Sequence, residues 1–277
     1  MLGKWSATGY SILNSMNRHY GAASKALLRI STGYRINSAA DDPAGLAISE
    51  KMRAQIRGLN MAGKNIQDGI SLVQTAEGAL NETHAMIQRM RELAIQAAND
   101  TLTDRDRELI NIEFQQLKEE ITRSAQQTEF NTKGLLTGEY ENNPIKIPAG
   151  ANAGQSIDIY IGGVNSAQLG IDDLDISTRE NADKAIAGLD DALHQVSKER
   201  SRLGAYQNRM EHAYNNVMNT AENLTAAESR IRDADIAEEM MNYVKANILL
   251  QASQYVLRLH MQQAQSVLML LDTGRKR

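Results

Sequence analysis

No cysteine occurs in this chain, which excludes disulfide bonds and a thiol nucleophile together. Proline is nearly as scarce, 3 in 277 residues, so long helices meet few interruptions. Aromatic side chains supply only 4% of the sequence while hydrophobic residues supply 42%, so aliphatic side chains and alanine carry the burial. That mixture suits helix seams better than a thick globular core. No apolar run approaches a transmembrane helix, and the opening MLGKWSATGYSILNSM lacks the continuous apolar stretch of a Sec signal. The net charge is −4 and is spread along the chain, without the basic stripe that nucleic-acid binding requires. The expectation is an elongated, mainly α-helical protein with no membrane insertion and no nucleic-acid partner.

What is present is a long repeat. Met52, Leu59, Ile66, Val73, Leu80, Ile87 and Ala94 are spaced seven residues apart, as are Leu189, Val196, Leu203, Met210, Val217, Leu224 and Ile231. A sustained heptad is the seam of a helix packed on another helix. With one seam in each half of the chain, the two halves are expected to form one antiparallel bundle or coiled coil.

Local signals divide the rest. Residues 1–33 read as a helix with a stripe of Ile12, Leu13, Met16, Ala23, Leu27 and Ile30, ended by Gly33 and Asn37. Asp42 before Pro43 reads as an N-cap followed by proline at the first helical position, opening a helix that runs to about Asn99. Its second seam position is half-strength, with Gly63, Glu77, His84 and Arg91 among the apolar residues. Thr103 starts another helix with Asp104 and Asp106 in its first turn, ending near Phe130. Ile157, Ile159 and Ile161 alternate with polar neighbours, and Ile145 and Ile147 precede Pro148, so a β-hairpin is expected with its loop at 149–154. Ser177 to Glu180 reads as a capping box for the second long helix. Asp233 and Asp235 mark a joint, and the last helix is apolar over a wide face that a solvated surface helix would not tolerate.

Catalytic and metal chemistry find no footing. The five histidines are scattered without metal-ligand spacing, and Gly162-Gly163 lacks the rest of a phosphate-binding motif. Asp41-Asp42 could be read as a paired carboxylate site, but an N-cap role accounts for Asp42. The reading is a non-enzyme with no catalytic residue, metal or cofactor. Gln88, Arg89, Arg91, Glu92 and Glu113 read by themselves as a solvated charged face, and the methionines as seam filler.

The segment TGYRINSAADDPAGLAISEKMRAQIRGL, residues 32–59, resembles the N-terminal signature of bacterial flagellins. The likeness continues through residues 65–100 and QTEFNTKGLL at 127–136, then through ENLTAAESRIRDADIAEEM at 222–240 and KANILLQASQYVL at 245–257. Departures fall at the ends: the opening segment, the missing proline near MQQAQSV, and Asp272 to Arg277 beyond Leu270-Leu271.

The resemblance implies a structural subunit that polymerises into the flagellar filament for motility, outside the cell, after export of the unfolded chain by flagellar type III secretion without a cleaved signal peptide. It implies four regions: a terminal coiled coil from 1–33 and 241–277, joints at 34–46 and 232–240, a helical rod from 47–136 and 177–231, and a short variable hairpin region at 137–176. Polymerisation is expected through Ile12, Leu13, Met16, Leu27, Ile30, Ile248, Leu249, Val256, Leu257, Val267 and Leu268. Other implied partners are an export chaperone and the filament cap and junction proteins. A surface at Gln88, Arg89, Leu93 and Glu113 matches the one by which flagellins are bound by Toll-like receptor 5. Two alternatives are a hook–filament junction protein, which shares the terminal helices, and a flagellin-like surface adhesin.

Overall fold

A computed structural model describes residues 2–275, with side chains described from Ala7 to Ser266 and at Met269. The order is α1 (Leu2–Thr32), α2 (Pro43–Ala97), α3 (Asp104–Gln127), β1 (Glu129–Phe130), β2 (Lys133–Gly134), β3 (Ile145–Pro148), β4 (Ser156–Ile159), α4 (Arg179–Arg232) and α5 (Ile236–Arg275). The fold is mainly α, as the periodicity predicts. The chain divides into two compact units, Met1–Ala54 with Leu224–Arg277, and Gln55–Asn223.

In the unit of residues 55–223 the heptads do what a seam must. Leu59, Ile66, Val73, Leu80, Ile87 and Ala94 of α2 and Leu189, Val196, Leu203, Met210 and Val217 of α4 are buried. The seam's glycines are places of close approach. A Cβ on Gly63 would lie 3.5 Å from Met218 Sδ and 3.7 Å from the Tyr214 ring of α4. One on Gly69 would lie 3.1 Å from Met210 Sδ and 3.2 Å from Ile147, and one on Gly58 2.9 Å from Ala151 Cβ. The hairpin of β3 and β4 therefore lies on α2 through positions that carry no side chain. The outer heptad residues Met52, Leu224 and Ile231 belong to the other unit and are only half-buried.

Helix ends follow capping chemistry. The Asp42 carboxylate accepts from Gly45 N–H at 2.9 Å, and Pro43 takes the first helical position as expected. Thr103 and Asp106 form a reciprocal capping box at the start of α3. Hydrogen bonds from the Thr103 hydroxyl and backbone hold the Asp106 carboxyl below its ordinary value. At the far end of α2, the buried Arg107 of α3 donates from Nε to Ala97 O at 2.8 Å and from Nη2 to Asn99 O at 3.0 Å. A side chain from the next helix thus supplies donors to the carbonyls at the C-terminus of α2.

Three details differ from expectation. The N-cap of α4 is Thr178, whose hydroxyl accepts from Asn181 N–H at 3.3 Å, while Ser177 turns its hydroxyl to Asp175. Ser-x-x-Glu spacing identified the helix start but not the capping residue. Pro148 pairs with Ser156 at the end of β3 rather than following it, because a terminal strand position tolerates a missing donor. Ile161 lies beyond β4, yet its N–H donates to Tyr140 O at 3.2 Å and its side chain is buried. A two-residue turn also went unread: β1 and β2 pair across Asn131 and Thr132, which sit at φ 49° and 65°. Positive φ at both central positions gives the twist that a tight hairpin needs.

Between β4 and α4 the chain has no regular structure but is far from loose. Val164, Leu169, Ile171 and Ile176 are buried. Lys118 donates to Asp172 O at 2.7 Å, and Thr122 Oγ1 donates to Ser166 Oγ at 2.9 Å, tying the segment to α3.

Candidate assembly surfaces

In the unit formed by the two ends, α1 and α5 lie antiparallel. Arg29 Nη1 meets Glu239 Oε1 at 2.6 Å near one end, and a Cβ on Gly9 would approach the His260 ring at 3.6 Å toward the other. What the pair buries is small. Among the described residues of these two helices, the buried apolar side chains are Ala23, Ala26 and Ala246. Alanine lets two backbones come close but removes little apolar surface from water.

Large apolar side chains face outward instead. On α1 Leu13, Leu27 and Leu28 are exposed; on α5 so are Ile248, Leu249 and Val256. Ile248 is 61% exposed and Leu27 52%. Ile12, Met16, Ile30 and Leu257 are half-buried, so they are less available than their neighbours. The side chains of Val267 and Leu268 lie outside the described residues. Tyr10, Tyr20, Leu28, Tyr255 and Leu259 are exposed members of these faces that the stripe did not single out. They flank the stripe on helices with only narrow buried sides, a width that periodicity does not report. An apolar groove of about 500 Å³ runs along α5, lined by Met240, Met241, Val244, Lys245, Ile248 and Leu249.

The connectors of this unit are closed by a clasp. Tyr34 bridges Asp233, Arg35 N–H donates to Arg232 O at 2.7 Å, and Ala234 N–H donates to Gly33 O at 2.9 Å. Gly33 has φ +74°, a left-handed conformation that lets the chain leave α1 and turn into this pairing. The guanidiniums of Arg53 and Arg232 each lie 5.0 Å from the Tyr34 ring centroid. Arg53 also pairs with the buried Glu228 at 2.8 Å, and Arg232 with Glu50. Asp41 braces the same region: Lys25 Nζ at 2.7 Å and the N–H groups of Asn37 and Ser38 hold its carboxyl down to about 2.

The charged face is a separate surface, in the unit of residues 55–223. Arg89 Nε contacts Glu113 Oε1 at 2.9 Å, and Nη1 contacts Glu92 Oε2 at 3.1 Å. Hydrogen bonding to Glu113, then to Glu92, raises the Arg89 pKa. Gln88 is exposed and stands 3.1 Å from His84 Nε2. Thus Gln88, Arg89 and Glu113 share one exposed patch. Leu93 does not join them: it is 2% exposed, turned into the core, because its helical position falls on the seam side. Among the described residues, no group of three or more His, Asp or Glu could hold a metal ion, and no helix is long and apolar enough to cross a membrane.

The fold and its outward apolar faces define a helical protein built to pack against other helices. Comparisons give that class a family. Residues 8–141 match the bacterial flagellin N-terminal helical region, and residues 186–271 match the bacterial flagellin C-terminal helical region. A flagellin of Halalkalibacterium halodurans is 50% identical, covering 94% of this chain and 97% of that protein. A flagellin of Bacillus subtilis is 47% identical, covering 94% of this chain and 96% of that protein. The crystal structure of Bacillus cereus flagellin, 32% identical, superposes with a TM-score of 0.51 over 60% of this chain and 94% of that one. The chain belongs to the bacterial flagellin family. It is a structural subunit that self-polymerises into the flagellar filament, outside the cell, and the junction and adhesin readings are not favoured.

Proposed function

We propose that copies of this chain join through the outward faces of α1 and α5, with Leu13, Leu27, Ile248, Leu249 and Val256 carrying most of the energy and the half-buried Ile12, Met16, Ile30 and Leu257 completing the packing. The observation that supports this reading is the concentration of exposed Leu, Ile, Val and Met on the two terminal helices, whose buried apolar side chains, among the described residues, are all alanine. Burying one such side chain contributes about 1.5–3 kcal/mol. A heterologous contact that does not close on itself produces an open helical polymer. Seeded elongation of the purified chain, followed by light scattering and electron microscopy, tests the assignment. Loss of elongation on introducing charge at Leu27 or Ile248 supports it, and normal elongation of both variants rejects it.

The finer steps belong to the same reading. The chain is exported unfolded through the flagellar type III route; a sequence without cysteine brings no disulfide to obstruct a narrow channel. An export chaperone covers the α5 groove before secretion, and the cap and junction proteins meet the same terminal helices at the two ends of the filament. Recognition by Toll-like receptor 5 uses Gln88, Arg89 and Glu113, with Leu93 supporting the patch from beneath. A receptor reporter assay separates this last role from assembly: Arg89→Ala should lower signalling while the monomer keeps its helical content. Unchanged signalling would remove the receptor from the proposal.

A further inference from the structure

We infer that Met240 and Met241 form an oxidation site through which peroxide-class oxidants control assembly. This inference rests on the reading of α5 as an assembly surface. With no cysteine in the chain, thioethers are its only sulfur nucleophiles. Their exposure spans the full range. Met90 and Met210 are fully buried in the helical seam, whereas Met240 is 46% and Met241 67% exposed. The exposed pair is consecutive in sequence and lies in the apolar groove of α5 with Val244, Ile248 and Leu249, where Lys245 is the one charged side chain in the lining.

The chemistry is an oxygen-atom transfer. A thioether sulfur lone pair attacks one oxygen of hydrogen peroxide and the O–O bond breaks. The sulfur gains that oxygen and is oxidised by two electrons; the other oxygen leaves as water after proton transfer. The product, methionine sulfoxide, replaces a flexible apolar group with a polar acceptor. In the free chain the S–O group faces water. Once a neighbouring subunit covers the groove, it faces Val244, Ile248 and Leu249, and the cost of desolvating this polar group opposes association. Assembly also shields the sulfur, so the sensitive state is the subunit before incorporation.

Two measurements on the full chain test this. Free subunits treated with hydrogen peroxide are mapped by peptide mass spectrometry and assayed for seeded elongation. Sulfoxide should appear at Met240 and Met241 ahead of Met90 and Met210, with elongation falling roughly tenfold or more as it accumulates. Methionine sulfoxide reductases should restore elongation. The Met240→Leu/Met241→Leu variant, compared with its own untreated rate, should lose no elongation after peroxide. The inference is overturned if wild-type chain oxidised at both positions elongates like untreated chain, or if the double variant stays as peroxide-sensitive as wild type. The latter would move the lesion to another exposed thioether such as Met61, Met218 or Met261. The second measurement treats preformed filaments: Met240 and Met241 should oxidise markedly more slowly there than in free subunits, and equal rates would overturn the shielding. Met241→Lys separates the two levels of the argument. If it elongates normally, the groove is not an assembly surface and both readings fall. If it is blocked while oxidised wild type elongates, only the oxidation inference falls.

Discussion

Between residues 55 and 223, Val73, Ile87, Leu189, Val196 and Met210 have no exposed surface, whereas among the described residues α1 and α5 bury three alanines and turn Leu27, Ile248 and Met241 outward. The two units draw on the same aliphatic residues. They differ in whether the chain itself supplies the opposing surface. In the first, α2, α3, α4 and the hairpin close on one another. In the second, the Arg29–Glu239 pair and buried alanines join two helices while Leu27, Leu28, Ile248 and Met241, among the described residues, stay exposed. On the proposed reading one unit is stabilised by folding and the other by association, and that difference teaches where a substitution should act.

The largest effect should come from Ile248→Asp. Assembly would place an unpaired carboxylate in an apolar contact, at a cost of about 3–5 kcal/mol per contact. Seeded elongation should stop, while urea unfolding of the unit of residues 55–223 is unchanged; a simultaneous loss of both would erase the contrast. Leu203→Ala should do the reverse. A cavity in the seam costs about 2–5 kcal/mol, read as a lower urea midpoint in the free subunit before any polymer forms. If the free subunit loses no stability, Leu203 is not part of a closed core.

Arg107→Met tests closure at one helix end. It keeps the buried stem but removes the donors to Ala97 and Asn99, and should cost about 1–3 kcal/mol. Hydrogen exchange should rise in the last turn of α2 and leave α5 unaffected.

The smallest effect, about 1 kcal/mol, concerns the clasp. The Asp41 carboxyl is held at about 2, below an ordinary value of 3.8, so its contribution is fully present above that ordinary value. It declines as the pH falls from 3.8 toward about 2 and is lost below the folded value. Hydrogen-exchange protection of residues 33–41 should follow that acid step, and Asp41→Asn should remove the step along with the Lys25 pair. An identical acid profile in the variant would show that another carboxyl governs the connector.

Much of this was legible because heptads and caps are local rules. The seam residues from Leu59 to Ala94, the Asp42-Pro43 start and the Thr103 start depend on spacing and on side chains within one helical turn. The pairing of Ile145 and Ile147 with Ile159 and Ile157 was equally readable from alternation. Less accessible was whatever required a second segment. Leu93 belongs to a charged motif by sequence neighbourhood but to the core by helical angle. Arg107 reads as one more surface charge until the end of α2 arrives beside it. The burial of Val164, Leu169 and Ile171 follows from α3, not from any period in their own segment. The exposed patch of Gln88, Arg89 and Glu113 needed family resemblance to stand out, since charge on a helix face is ordinarily just solvated.

The Tyr34 clasp carries a consequence for salinity. At 1 M salt the screening length is about 3 Å, and exposed pairs such as Arg123 with Glu120 retain little attraction. Tyr34 offers Arg53 and Arg232 an aromatic face at 5.0 Å, while Glu228 meets Arg53 from a site largely closed to counter-ions. The connectors should therefore stay joined in brine by contacts that dissolved ions cannot readily replace, and protection of their amides from hydrogen exchange should change little between dilute buffer and about 1 M salt.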